Sequence, residues 1–222
     1  ADHLGWSHFH ILAVSGGCPY ALVTEARLSS RVRSVTLCCG AALPKYILDD
    51  EFSYPVYRML LTLQQKVPWL LSFGLQLTRV YFRVIPASAA FLPILPFIPG
   101  PDRKAVRPKT ARTKLARSAA ATFRNHPRGA LRDATRYIED WGFDLSEVPM
   151  PVTFHHGTED RNIPIEAARR TARKISQARF VEYPGEGHYS LPLNRLESIF
   201  GGIRETGEDS TAAGKDAHSQ GS

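Results

Sequence analysis

Short apolar runs alternate along this chain with stretches in which apolar residues recur every three or four positions. The short runs are rich in β-branched residues and predict four strands: His10–Val14, Val32–Cys38, Pro151–His155 and Ala178–Tyr183. The stretches that follow the first, third and fourth runs predict helices over Pro19–Leu28, Pro164–Ile175 and Leu191–Phe200. Strands separated by helices predict an α/β fold, in which a parallel sheet is covered on both faces.

Residues 45–140, called the inserted block below, interrupt this alternation. Apolar residues three and four positions apart predict long helices over Tyr46–Leu63, Val67–Val84 and Thr110–Tyr137. The segment Val84–Pro108 is rich in proline, which lacks a backbone donor and breaks helices. We interpret 45–140 as a helical insertion between two parts of one sheet domain, 1–44 and 141–203. Residues 204–222 are polar, and we expect a disordered tail there.

The composition is that of a folded protein of ordinary size. The chain has 222 residues and a mass of 24.7 kDa, with 43% hydrophobic and 22% charged residues. These values exclude a disordered or fibrous chain and allow a sizeable core. Cys18, Cys38 and Cys39 are too few for a disulfide scaffold and lack the spacing of metal ligands. We expect them to be small buried side chains.

The sequence contains no pattern typical of export or membrane insertion. No basic and apolar signal pattern follows Ala1. The longest apolar run, Val84–Ile98, carries three prolines and is shorter than the roughly 20 residues that a spanning helix needs. We therefore expect a cytoplasmic protein without a transmembrane helix.

The net charge of +7 is concentrated in one stretch. Residues 101–136 contain eleven lysines and arginines against Asp102 and Asp133, a local charge of +9 that leaves −2 for the remainder. One interpretation of this stretch is a helix whose arginine side chains face solvent. The alternative is that the stretch contacts anionic lipid or an acidic substrate. No nucleic-acid-binding motif frames it, so we expect no nucleic-acid partner. A weak contact of residues 84–136 with a membrane surface stays open, as does the oligomeric state.

Three polar side chains follow predicted strands directly: Ser15, Asp160 and His188. The carboxyl ends of parallel strands meet at one edge of a sheet, where such folds place their chemistry. Ser15 lies on a strand–helix turn between Ala13 and Gly17, and a strained turn of this kind requires such small neighbours. A serine becomes a nucleophile when a base such as a loop histidine takes its proton, while a carboxylate fixes the tautomer of that base. The pattern indicates a catalytic serine, histidine and carboxylate.

Four segments carry a resemblance to a known family: AVSGGCPYAL at 13–22, WGFDLSEVPMPV at 141–152, HHGTEDRNIP at 155–164 and YPGEGHYSL at 183–191. On these segments the chain resembles the α/β-hydrolase superfamily, in which nucleophile, acid and base follow in the same order. The resemblance implies about four parallel strands flanked by helices, with the inserted block in the place of the family's helical cap. It implies Ser15 as nucleophile, Asp160 as acid, His188 as base and the Gly16 N–H as one oxyanion donor.

The same resemblance implies a function. It implies a serine hydrolase that acts on an ester or similar acyl bond of a small molecule, without a metal or an organic cofactor. A serine at the turn disfavours the epoxide- and halide-cleaving branches, which carry a carboxylate there. Fold alone does not fix an activity, so a non-catalytic hydrolase-like protein that binds a ligand or a partner is the alternative.

The chain departs from the family's pattern in two places. Position 13 is alanine where the family more often has glycine. Only fourteen residues precede Ser15, where the family has earlier strands and the loop with its second oxyanion donor. We therefore expect the C-terminal part of a hydrolase, with the segment Asp2–Gly5 as the end of a helix that leads into the nucleophile strand. Loss of one oxyanion donor costs about 10²–10³ in rate, so we expect weak or no activity from this segment alone.

Other candidate residues have plainer explanations. His155 and His156 are consecutive on a predicted strand and point to opposite faces, so they cannot share a metal. Glu159 adjoins Asp160, which fits the family turn better, and Glu186 is expected to be solvated and to shape the His188 loop. Aromatic residues of the inserted block either line an acyl pocket or pack the block onto the core: Trp69, Phe73, Tyr81, Phe82 and Phe91.

Overall fold

The computed structural model describes residues 1–41, 55–123, 127–137 and 139–216. Three parts of the sequence-based predictions lie outside these residues. They are the start of the helix predicted over Tyr46–Leu63, a short piece of the helix predicted over Thr110–Tyr137, and the end of the predicted tail. The predicted boundary between residues 44 and 45 also lies outside them.

Four parallel strands form one sheet in the order β1-β2-β3-β4. They span Phe9–Val14 (β1), Val32–Cys38 (β2), Val152–Gly157 (β3) and Ala178–Tyr183 (β4). All four predicted strands are confirmed, with ends that differ by two residues at most. β1 is an edge strand and pairs with β2 alone among the described residues.

Helices cover both faces of this sheet. They span Cys18–Leu28 (α1), Pro55–Lys66 (α2), Pro68–Val84 (α3), Gly100–Val106 (α4), Lys109–Phe123 (α5), Arg128–Arg136 (α6), Ile165–Ala172 (α7) and Ser190–Asp216 (α8). Pro19, Pro68 and Pro101 lie in the first turns of their helices, where a missing N–H costs nothing. Short 3₁₀ turns span Asp2–Leu4, Ser15–Gly17, Leu92–Phe97 and Leu145–Glu147.

Two predictions about helices were wrong in part. The helix predicted over Thr110–Tyr137 is divided into α5 and α6, because Pro127 has no N–H with which to continue a helix and instead precedes the first turn of α6. The disordered tail predicted from residue 204 is helical as far as Asp216, since α8 continues through it. Seven of the thirteen residues 204–216 are Gly, Thr, Asp or Ser, which disfavour helices, so local propensity does not explain this continuation.

The core lies on the two faces of the sheet. One cluster joins the β-strand residues Val35, Leu37 and Phe154 to α1 through Leu22, and all four side chains are buried. On the other face, Cys38 and Cys39 pack against Leu191 and Ile199 of α8. The three cysteines are buried free thiols, as the sequence predicts.

The described helices of the inserted block pack mainly on one another, with contacts between α2 and α3, α3 and α5, and α5 and α6. α4 is the exception, because it packs against α8 beside the sheet. None of the described helices is both long and apolar enough to cross a bilayer. The predicted site residues therefore lie at the edge of the sheet formed by the carboxyl ends of β1, β3 and β4. α4 lies next to this edge.

Candidate active site

Ser15 lies at the point where β1 ends and the chain turns into α1. Its φ angle is 53°, a left-handed conformation that costs a non-glycine residue free energy and is concentrated at functional sites. The two small neighbours of this turn face each other, since a Cβ on Gly17 would be in ordinary van der Waals contact with the Cβ of Ala13 at 3.7 Å. α1 begins at Cys18, so backbone N–H groups at the start of a helix lie beside the Ser15 hydroxyl.

A chain of two hydrogen bonds joins the three predicted site residues. The Oγ of Ser15 lies 2.8 Å from Nε2 of His188, and Nδ1 of His188 lies 2.9 Å from Oδ2 of Asp160. A carboxylate only accepts hydrogen bonds, so these partners assign the proton to Nδ1 and leave Nε2 to accept the Ser15 hydroxyl. The fold thus brings together three residues that lie 28 to 173 positions apart in the chain.

Asp160 is almost fully buried and is held from several sides. Its Oδ1 accepts the backbone N–H groups of Asn162 and Ile163, both at 2.9 Å. Burial raises the pKa of this carboxyl, but its hydrogen bonds with His156 and His188 outweigh burial and lower the pKa to about 2. The carboxylate of Asp160 is therefore ionised at neutral pH.

The two consecutive histidines of β3 contact different groups. His155 pairs with the Tyr183 hydroxyl at 2.9 Å, and burial lowers its pKa to about 4. His156 is fully buried, donates from Nε2 to the carbonyl of Ile163 at 2.8 Å and lies 3.4 Å from Oδ2 of Asp160. Sequence reasoning gave His156 no part in the site, yet it is in contact with the buried carboxylate.

The two glutamates near the site differ in their surroundings. Glu159 is exposed, so it is Asp160 that contacts His188. Glu186 is only 8% exposed and accepts hydrogen bonds from the Asn194 side chain at 3.1 and 3.3 Å. The expectation that Glu186 is solvated was therefore wrong, because the first turns of α8 cover it.

Two residues of the inserted block contact the site, and the sequence analysis assigned neither of them. The Tyr137 hydroxyl donates to the carbonyl of Gly16 at 2.6 Å, and a Cβ on Gly16 would lie 2.4 Å from that hydroxyl oxygen. Asp102 of α4 is 1% exposed and accepts the backbone N–H groups of His188, Tyr189 and Ser190. Both contacts span more than eighty positions, so no local pattern could have predicted them.

One set of side chains near the site has ligand atoms close enough for a metal ion. Ligand atoms of Cys39, Asp160 and His188 lie within 4.8 Å of one another, and all three residues are buried. A hydrogen bond with Cys38 and burial both raise the pKa of the Cys39 thiol far above its usual range. Metals bind the thiolate, and the other two groups already bond to each other, so these residues suit a hydrogen-bonded chain better than a metal.

Comparisons with known proteins identify the same fold. Residues 1–194 match the model of the alpha/beta hydrolase fold family. No curated protein matches the sequence. The enol-lactonase from Burkholderia xenovorans has a TM-score of 0.58 at 15% identity, with 92% of this chain and 67% of that one covered.

Two other solved structures are similar to a comparable extent. A thermophilic esterase from Thermogutta terrifontis has a TM-score of 0.54 at 20% identity, covering 92% of this chain and 66% of the esterase. The 2-hydroxy-6-oxo-6-phenylhexa-2,4-dienoate hydrolase from a Rhodococcus species has a TM-score of 0.54 at 16% identity, with coverages of 93% and 66%. The chain thus spans about two thirds of the length of these proteins, and the likeness extends to their fold.

Proposed function

Because this chain belongs to the alpha/beta hydrolase family, we propose that it is a serine hydrolase that cleaves an ester or similar acyl bond of a small molecule. The observation that carries this proposal is the continuous hydrogen-bonded chain from Ser15 through His188 to Asp160, with links of 2.8 and 2.9 Å. Serine, histidine and carboxylate in this order are the arrangement that activates a hydroxyl group for acyl transfer.

Each group has a defined task in the proposed reaction. The Ser15 oxygen attacks the acyl carbon as Nε2 of His188 takes its proton, and the Asp160 carboxylate stabilises the imidazolium that forms. His188 then returns the proton to the leaving alkoxide, and an acyl-serine remains. A water molecule activated by the same histidine releases the acid and restores the Ser15 hydroxyl.

Negative charge on the acyl oxygen needs donors that are already in place. The N–H of Gly16 directly follows the nucleophile at the start of the helix, and we assign it as one oxyanion donor. The Tyr137 hydroxyl supports this assignment, because its hydrogen bond to the Gly16 carbonyl fixes the orientation of a peptide group in the same turn. We propose that the inserted block, which carries Tyr137, covers the site as a cap.

The names of the structural relatives support the substrate class. A lactonase and an esterase both act on ester bonds, while the third relative is named for a dienoate substrate. The bond types differ, but each relative is a hydrolase. An acyl bond of the ester type is therefore the substrate class that we propose for this chain.

A fluorophosphonate probe tests the proposal without knowledge of the substrate, because it reacts with activated serines. Because only one oxyanion donor is assigned, we expect slow covalent labelling that maps by mass spectrometry to the peptide that contains Ser15, and to no peptide with an exposed, unactivated serine such as Ser118. The native chain and a heat-unfolded sample are compared at high probe concentration. No labelling of the native chain contradicts the proposal and favours the alternative, a hydrolase-like protein that binds a ligand without catalysis.

A further inference from the structure

A carboxylate from the inserted block lies buried against the loop that carries His188. Asp102 is in the first turn of α4, and its side chain is 1% exposed. Its Oδ2 accepts the N–H of His188 at 3.0 Å, and its Oδ1 accepts those of Tyr189 and Ser190 at 2.9 and 2.8 Å. One side chain thus binds three consecutive backbone donors, and the first donor belongs to the proposed catalytic base.

The surroundings of Asp102 suit a fixed anion. The three donors lie at the start of α8, where N–H groups have no partner within the helix and the helix dipole is positive. The fit is also tight, because a Cβ on Gly187 would lie 2.4 Å from Oδ1 of Asp102. Glycine before His188 therefore permits the close approach of the carboxylate to the backbone.

We propose that Asp102 is a positioning residue for His188, and this proposal rests on the proposed hydrolase function. His188 must keep Nε2 on Ser15 and Nδ1 on Asp160 at the same time, so its backbone has little freedom to move. The bond from Asp102 holds the His188 N–H in place from the side of the inserted block. Hydrogen bonds to a charged acceptor are stronger and shorter than neutral ones, which suits this task.

The variant Asp102→Asn tests the contact with His188 selectively. An asparagine amide oxygen can still accept the N–H groups of Tyr189 and Ser190, whereas its NH₂ group then faces the His188 N–H and cannot accept it. We expect the rate of Ser15 labelling by the fluorophosphonate to fall at least tenfold. We also expect the backbone amide of His188 to exchange with deuterium at least tenfold faster than in the parent chain.

Asp133→Asn is the matched control. Asp133 also lies in the inserted block and accepts a hydrogen bond from the Tyr20 hydroxyl of α1 at 2.7 Å, but it makes none of the hydrogen bonds that Asp102 makes with the His188 loop. Its variant should label Ser15 at the parent rate. Should Asp102→Asn fail to fold by circular dichroism, Asp102→Ser, which keeps an acceptor without a charge, is measured in its place.

The outcomes separate the two proposals. A parent chain that is not labelled contradicts the hydrolase function itself. A labelled parent with an equally labelled Asp102→Asn or Asp102→Ser variant contradicts the positioning role alone. Slow labelling in the variant with unchanged amide exchange at His188 also contradicts it, because the loss then has another origin.

An independent observation concerns the outer face of α3. Five large apolar side chains of this helix are between 55% and 71% exposed: Trp69, Phe73, Leu77, Val80 and Val84. Their spacing of three and four positions places them on one stripe. The opposite face contains the buried Leu71, so the helix is apolar both toward the protein and toward solvent. Contiguous exposed apolar surface of this kind marks a docking site.

Positive charge lies beside this stripe on α3, where Arg79 and Arg83 directly precede Val80 and Val84. Arg79 and Arg83 of α3 and Arg117 of α5 line a groove of about 480 Å³ together with Phe82 and Phe123. Beyond α3, Phe97 is 79% exposed and precedes the +9 stretch of residues 101–136. The surface thus combines exposed apolar side chains with a cationic border, as interfacial helices do.

We infer that the α3 stripe docks on the surface of an anionic lipid bilayer. Charge complementarity selects this partner, because the local charge of +9 over residues 101–136 attracts anionic headgroups while the stripe enters the acyl boundary. A second copy of this chain would bring two cationic borders together, and repulsion disfavours that arrangement. The stripe spans residues 69–84 and thus lies next to residues 84–136, for which the sequence analysis left a membrane contact open.

Co-flotation with lipid vesicles tests this docking. We expect the chain to float with vesicles of phosphatidylcholine and phosphatidylglycerol at 3:1, and to float at least tenfold less with phosphatidylcholine alone or at high salt. Phe73→Ser with Leu77→Ser should abolish flotation. The control Leu193→Ser with Phe200→Ser removes exposed apolar side chains from α8 and should leave it unchanged.

Two results would contradict the bilayer as partner. One is the absence of flotation with anionic vesicles. The other is a stripe variant that floats like the parent but changes the chain from a dimer to a monomer in sedimentation, because the stripe is then a self-association surface.

Discussion

Replacing His188 with alanine is expected to slow the labelling of Ser15 by the fluorophosphonate by about 10²–10⁴-fold, the usual contribution of a positioned general base. The imidazole is the group that lies 2.8 Å from the Ser15 hydroxyl, and its removal takes away the acceptor of the hydroxyl proton. The second-order rate constant of labelling measures this effect directly. It needs no knowledge of the natural substrate.

The matched control is His155→Gln. His155 lies one strand position from the buried His156, is hydrogen-bonded to Tyr183 and has no contact with Ser15. Its replacement should leave the labelling rate within about twofold of the parent rate, well below the effect expected for a general base. Equal labelling of the parent and of the His188→Ala variant would show that Ser15 reacts without this histidine and would remove the base from the mechanism.

The second large effect is expected from Asp160→Asn, which should slow the same reaction by about 10⁴-fold. An asparagine of nearly the same shape presents an NH₂ group or a carbonyl oxygen to Nδ1 of His188. The neutral side chain no longer stabilises the imidazolium, and one of its two orientations holds the wrong tautomer. The pKa of about 2 means that the parent has a negative charge at this position at neutral pH.

Glu159→Gln serves as the control for charge. It removes the neighbouring carboxylate, which is exposed and has no contact with His188 in the structure. We expect unchanged labelling. If Glu159→Gln slowed the reaction and Asp160→Asn did not, the acid would have to be reassigned to position 159.

Local patterns accounted for much of the fold. The four strands follow from short β-branched runs, and the turn at Ser15 follows from small residues between a strand and a helix. Both depend on interactions among residues close in the chain. The alternation of strands and helices then leaves few topologies other than a parallel sheet, whose carboxyl edge collects Ser15, Asp160 and His188.

Where helices end was harder to predict, because apolar spacing continues past the residues that stop them. The spacing over Thr110–Tyr137 is regular, yet Pro127 divides the stretch. Polarity after residue 204 was interpreted as disorder, whereas α8 continues to Asp216. At Pro127 the missing backbone N–H outweighed the apolar spacing, while the composition of residues 204–216 does not explain the continued helix.

By itself, then, the sequence determined the strands, the order of the proposed catalytic groups and the strained turn, since each is encoded within a few neighbouring residues. The tertiary structure alone decided that Asp102 binds the start of α8, that Tyr137 contacts Gly16 and that the outer face of α3 is exposed in the described part of the chain. These features depend on how the inserted block packs on itself and against the sheet domain. Such packing depends on the shapes of the side chains in contact and on buried polar groups that need hydrogen-bond partners. Neither requirement produces a regular spacing of residues that could be recognised in a single sequence.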